Sequence, residues 1–183
     1  MRIFLGITGA SGAPYAARLL EGLVAAGCEV GVTASSSGVQ VLGTELWAEP
    51  GIGRKEALAR LVGDAPDVTG ERSHGVLDYV ICPCSMATVG TIAAGAMANL
   101  VHRAASVALK EGRRLVLVPR ETPLSTIHLE NLLRLRQAGA VILFAAPGFY
   151  HAPETVDDLI NFVVGRCLDQ LSIEQDLVTR WGE

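Results

Sequence analysis

Short apolar runs recur along this chain, and each is cut off by a turn of small or polar residues. Residues 2–7 (RIFLGI), 29–34 (EVGVTA), 76–82, 115–118 and 140–145 are too continuously apolar for half-exposed strands and too short for helices of their own. They read as strands buried on both faces. The segments between them carry helical signals. A helix is predicted over 14–26, with Pro14 suited to a first turn and Gly27 to a stop. Others are predicted over 39–47, 54–62, 86–98, a following segment that holds Arg103 and Lys110, 124–138 and 156–171. Thr155 and Asp158 are spaced as a capping pair for the last. Strands alternating with helices imply a parallel sheet with right-handed crossovers, covered by helices on both faces. The expected organisation is one α/β domain over 1–183, with 172–183 as a C-terminal tail. Residues 64–75 are expected to form a surface loop around a minor strand.

Composition narrows the class. The chain has 183 residues, half of them hydrophobic and only 19% charged, which suggests that some of its surface is covered by other subunits. A net charge of −4 argues against broad nucleic-acid binding. Lys55 and Lys110 are the only lysines, and the remaining cations are arginines suited to bidentate phosphate or carboxylate contacts. Cys28, Cys82, Cys84 and Cys167 fit neither a CxxC redox pair nor a zinc spacing and read as small buried hydrophobes. Gly6, Gly9 and Gly12 interrupt the first apolar run, so neither a signal peptide nor a membrane span is read, and a cytoplasmic location is expected.

The candidate chemistry lies where strands end. Five such turns, 8–13, 34–37, 82–88, 119–123 and 147–150, are polar or rich in Gly and Pro. In a parallel sheet all five fall on one edge, where α/β proteins bind ligands. Turn 8–13 joins a strand directly to a helix, the layout of a phosphate cradle, although such turns also serve tight packing alone. The second strand ends in Ser35, Ser36 and Ser37 without the carboxylate that would hold a dinucleotide ribose, and neither lysine follows a tyrosine by four residues. NAD is therefore disfavoured and a mononucleotide favoured. Pro119 and Pro123 stiffen the turn that holds Arg120 and Glu121. This pair reads either as a phosphate clamp with a proton-transfer carboxylate or as a structural ion pair. Arg103 and Lys110 lie two helical turns apart, on one face with Ser106.

Four motifs carry a resemblance to a known family: GITGASGAPYAARLL (6–20), CPCSMAT (82–88), NLVHRAASVALKEGRRLVLVPRETPLSTIHLENLLRL (99–135) and PGFYHAPETVDDLINFVVGRCLDQL (147–171). The chain resembles the UbiX flavin prenyltransferases, within the wider set of homo-oligomeric flavin-containing Cys decarboxylase-like proteins. The resemblance implies a flavodoxin-like, Rossmann-like α/β sandwich that binds FMN. It implies transfer of a dimethylallyl group from dimethylallyl phosphate to N5 and C6 of reduced FMN without a metal, for use by a UbiD-type decarboxylase. It implies a homo-oligomer, trimers gathered into dodecamers, with the site between subunits. For FMN it implies Gly9, Ala10, Ser11, Ser35, Ser85, Met86, Ala87, Thr88 and Arg120. For the prenyl phosphate it implies Arg103, Lys110, Tyr150 and Arg166. Glu121 would be the acid/base with Glu45 assisting, and Ser11, Arg103 and Lys110 count with the catalytic group.

Two positions depart from the family pattern. Ser36 stands where the family usually has Lys, and 64–79 lacks the usual Ser-Gly-Ser segment and its nearby aromatic residue. Two other readings stay open. One is a flavin-dependent cysteine decarboxylase, disfavoured because no His lies near Ser35. The other is a flavin-binding subunit that makes no product.

Overall fold

The computed structural model describes residues 1–63, 68–70 and 78–178. Its strands are β1 (Arg2–Ile7), β2 (Glu29–Ala34), β3 (Val68–Gly70), β4 (Asp78–Cys84), β5 (Leu115–Pro119) and β6 (Val141–Ile142). Its helices are α1 (Ala13–Ala25), α2 (Ser36–Trp47), α3 (Arg54–Val62), α4 (Met86–Ala93), α5 (Leu100–Lys110), α6 (Thr126–Gln137) and α7 (Val156–Gln170). The sheet order is β3-β2-β1-β4-β5-β6, and every pairing is parallel. With the minor β3 set aside, this is the flavodoxin-like order; the direction of winding reverses between β1 and β4.

The sheet separates two apolar layers. Ile3, Leu5 and Ile7 of β1 pack with α1, α2, α3 and α7. Phe4 on the opposite face of the same strand packs with α4, α5 and α6. Strands covered on both sides are continuously apolar, which is why their sequences do not alternate.

Elements ended where backbone groups found partners rather than where apolar runs ended. β4 continues through Pro83 to Cys84, because Pro83 lacks a donor but its carbonyl accepts from the Thr8 amide at 3.1 Å. The missing N–H coincides with a shift of register between Ile81 and Cys84. α2 starts at Ser36 rather than Val39, because Ser35 caps it by accepting from the Gly38 amide at 3.0 Å. The helix expected over 86–98 stops at Ala93, where Gly95 turns left-handed at φ 73°. Asn99 then caps α5 through the His102 amide. α7 has the expected capping box from Thr155 and Asp158. β6 is shorter than expected, although Leu143 and Ala145 still donate to the β5 carbonyls of Leu117 and Pro119. The minor strand appears as β3. The rest of the predicted 64–75 loop, apart from β3, and the end of the tail at 179–183 lie outside the described residues. Residues 172–178 turn back onto α7, where Gln175 bonds to Asp169 and accepts from the Leu177 and Val178 amides.

Candidate functional site at the carboxyl edge of the sheet

The crevice forms where winding reverses. The β1 turn is held to the β4 turn by Thr8, which is buried to 1% exposure. Its hydroxyl donates to the Pro83 carbonyl at 3.0 Å and accepts from the Ser85 amide at 2.8 Å. On the other side the β1 turn is pressed against β2. Ser35 donates its amide to the Ile7 carbonyl at 2.8 Å. A Cβ on Gly9 would lie 2.4 Å from Ser37 Cβ, and one on Gly38 would lie 2.4 Å from the Ile7 carbonyl oxygen. Glycine is needed at both positions, at Gly9 because the Ser37 side chain and at Gly38 because the Ile7 backbone passes too close for a Cβ. From β5, Arg120 Nε donates to the Ser11 carbonyl at 3.2 Å.

Three helix N-termini meet at this edge, and they are not equivalent. The α1 end is already filled: Glu45 Oε2 accepts from the amides of Gly12 at 2.8 Å and Ala13 at 2.7 Å. Glu45 therefore braces the β1 turn from α2, which its place near the end of that helix did not reveal in the sequence. Ser85 caps α4 by accepting from the Thr88 amide, and its hydroxyl donates to Thr88 Oγ1 at 3.1 Å. Among the described residues, the amides of Ser36 and Ser37 on α2, of Met86 and Ala87 on α4, and of Gly9, Ala10 and Ser11 in the β1 turn have no protein acceptor. Such amides, gathered at two helix starts and one Gly-rich turn, form an anion seat.

Arg120 and Glu121 do not pair with each other, so the structural ion pair considered from sequence is absent. Arg120 turns to Ser11, and the exposed Glu121 accepts from the Thr122 amide at 3.1 Å. Tyr15 is a neighbour that sequence reasoning missed. Its ring lies against Gly12. Burial pushes its phenol pKa up, Cys82 adds to that, and Arg120 offsets part of it. A Tyr one residue after the Pro of a helix start was the available signal.

The residues expected to hold the prenyl phosphate fall into two groups. Tyr150 and Arg166 meet around Phe162. The Tyr150 ring centroid lies 5.6 Å from that of Phe162, and the Arg166 guanidinium lies 5.8 Å over it. Phe162 belongs to α7, on the α1 side of the sheet. Arg103 and Lys110 are exposed on α5, whose buried face packs on the opposite side. Lys110 ends α5 and lies 3.6 Å from Glu111, just before the chain enters the base of β5. Arg103 lies about 10 Å back along the helix. One chain therefore does not bring Lys110 to the edge that holds Ser11, Ser85 and Arg120.

Fold and crevice together define a doubly wound, flavodoxin-like α/β protein with a phosphate-type anion seat at its switch point. The Flavoprotein family profile matches residues 1–168. The flavin prenyltransferase UbiX of Pseudomonas aeruginosa is 48% identical over 199 residues, covering 100% of this chain and 94% of that protein. The crystal structure of a dodecameric FMN-dependent UbiX-like decarboxylase from Escherichia coli O157:H7 superposes with a TM-score of 0.85 at 40% identity, covering 100% of both chains. AnUbiX (PadA1), in complex with FMN and dimethylallyl pyrophosphate, gives a TM-score of 0.86 at 33% identity, covering 100% of this chain and 97% of that one. The chain belongs to the Flavoprotein family and, within it, to the UbiX flavin prenyltransferases.

Proposed function

We propose that this chain transfers a dimethylallyl group from an allylic phosphate to reduced FMN. The observation that carries the reading is the set of unpaired amides at the β1, β2 and β4 turns, beside Arg120. That set suits the phosphate and polar edge of a flavin mononucleotide, and Gly9 and Gly38 leave the backbone open to close approach. Gly9, Ala10, Ser11, Ser35, Met86, Ala87 and Arg120 would hold FMN. Ser85 acts indirectly, its hydroxyl capping α4 and donating to Thr88, and Thr88 keeps a hydroxyl proton to give to the cofactor. When bound and reduced, the flavin supplies the nucleophilic N5 and C6 positions.

The protein's own contribution is electrostatic and positional. Breaking the allylic C–O bond leaves a phosphate whose charge Arg166, Arg103 and Lys110 stabilise in a site shielded from water. Tyr150 presents a π face that tolerates positive charge developing on the allyl group, while the Phe162 ring carries His151 and Arg166. Glu121, an exposed carboxylate on a proline-bounded turn, takes up and returns a proton at its carboxylate oxygens. Glu45 assists by holding Ser11, Gly12 and Ala13 in place.

The separation of Arg103 and Lys110 from Tyr150 and Arg166 supports a site completed by a neighbouring copy of the chain. Ile127, Leu129 and Leu133 of α6 are apolar side chains left 53–67% accessible, suited to burial in such an assembly. The dodecameric E. coli neighbour supports the same reading. The product would pass to a UbiD-type decarboxylase in the cytoplasm. No helix among the described residues is long and apolar enough to cross a membrane.

Anaerobic incubation of the purified protein with reduced FMN and dimethylallyl phosphate tests this. A flavin heavier by one prenyl unit is expected in the mass spectrum. Tightly bound but unaltered FMN, with either the monophosphate or the diphosphate donor, would leave a flavin carrier instead.

A further inference from the structure

Buried polar atoms without partners are uncommon in folded proteins, and each requires a reason. Six side-chain nitrogens are in this state among the described residues, and four of them belong to His151 and Arg166. These two residues share one support. The His151 ring stacks on Phe162 with centroids 5.3 Å apart and planes 12° apart, and the Arg166 guanidinium lies over the same ring. Arg166 Nη2 is 3.3 Å from Asp169 Oδ2 but does not form a hydrogen bond with it. For His151, neither ring nitrogen has any partner.

Asp158 does not supply one. Asp158 lies close enough to His151 for their charges to interact, but its Oδ2 already accepts from the Glu154 amide at 3.0 Å, the Thr155 amide at 2.8 Å and the Thr155 hydroxyl at 2.9 Å. The imidazole is held in place instead by rings, with Phe162 beneath it and Tyr150 edge-on at 5.8 Å. An imidazole fixed by stacking and shielded from water, with no acceptor for its N–H, has a hydrogen bond to give to a group that arrives from outside. Arg166 beside it makes that group an anion with several acceptor oxygens.

We propose that His151 is a further binding residue of the donor-phosphate seat, giving a ring N–H to a phosphate oxygen beside Tyr150 and Arg166. This rests on the prenyl-transfer reading above for the identity of the phosphate. His151 thereby adds a directional N–H donor, fixed by stacking, to a seat otherwise built from charge.

The test uses His151→Phe, which preserves the stack on Phe162 and removes both nitrogens, and His151→Gln, which restores an N–H donor. The probe is dimethylallyl phosphate, titrated calorimetrically into the FMN-loaded, fully assembled protein. His151→Phe should weaken binding about tenfold, the scale of one lost hydrogen bond to a charged group. His151→Gln should recover most of that loss, with FMN affinity and assembly mass unchanged in both. Donor binding by His151→Phe within about twofold of the parent would overturn the proposal. So would a change of assembly mass in that variant with donor affinity intact, which would assign the imidazole to a contact between copies. If His151→Phe does not accumulate as folded protein, His151→Leu carries the same comparison with His151→Gln. A parent protein that binds FMN but not the donor would instead remove the prenyl-transfer reading, a result distinct from a parent and variant that bind the donor equally.

Discussion

The crevice at the switch point and the cluster around Phe162, proposed above to hold the flavin and the prenyl donor, are built by opposite means. Around the crevice, one chain closes every structural bond itself. Thr8 joins β1 to β4, Glu45 fills the α1 terminus, Ser35 and Ser85 cap their helices, and Arg120 reaches across to Ser11. What remains open is a row of backbone amides. Around Phe162 both His151 nitrogens and two of the Arg166 nitrogens lack a hydrogen-bond partner, and the cations expected to share their task lie on the opposite layer of the sheet. A site whose supports are internal can be preformed in a single copy. A site with orphaned donors and dispersed cations is finished by a ligand, a second copy, or both.

Four experiments can break or sharpen this contrast. Glu121→Gln should retain FMN yet slow prenyl transfer by roughly a hundredfold or more, the usual contribution of a positioned acid/base. Full activity in single-turnover assays would remove Glu121 from the chemistry. Next, Lys110→Ala and Arg166→Ala should each be nearly inactive while binding FMN normally. Hybrid assemblies refolded from a mixture of the two should regain activity, because one subunit can supply what its neighbour lacks. No recovery would place both residues in a single-copy site.

Thr8→Val keeps the shape of the side chain but strands the Ser85 amide. FMN affinity should fall about tenfold, since an unsatisfied buried donor costs roughly 1–3 kcal/mol. Thr8→Ser should restore it in fluorescence-quenching titrations. An unchanged affinity in Thr8→Val would mean the crevice does not depend on that clasp. The smallest effect concerns the cap of α7. Thr155→Ala removes the α7 cap and should cost about 1 kcal/mol in denaturant unfolding, with FMN affinity unaltered. A loss of FMN binding there would show that the two regions are coupled through α7.

Much of this was legible from the sequence because the signals are local. Strand positions followed from uninterrupted apolar runs, and their parallel order from alternation with helices. The capping box at Thr155 and Asp158 needs only a spacing of three. The five turns had to share one edge once the sheet was parallel. The UbiX resemblance rested on contiguous motifs. Boundaries failed where a non-local partner decided them, as at Pro83, whose carbonyl is taken by a residue seventy-five positions earlier in the chain.

The amino-acid sequence alone therefore determined the α/β architecture, the edge that carries the site and the family. These depend on periodicity, turn chemistry and motif, which are properties of neighbouring residues. Only the tertiary structure decided that Glu45 braces the β1 turn, that Arg120 and Glu121 do not pair, that Lys110 lies away from the crevice, and that neither His151 nitrogen has a hydrogen-bond partner. Each of those depends on which segments packing brings within bonding distance, and the same residue types in the same spacing are compatible with either outcome.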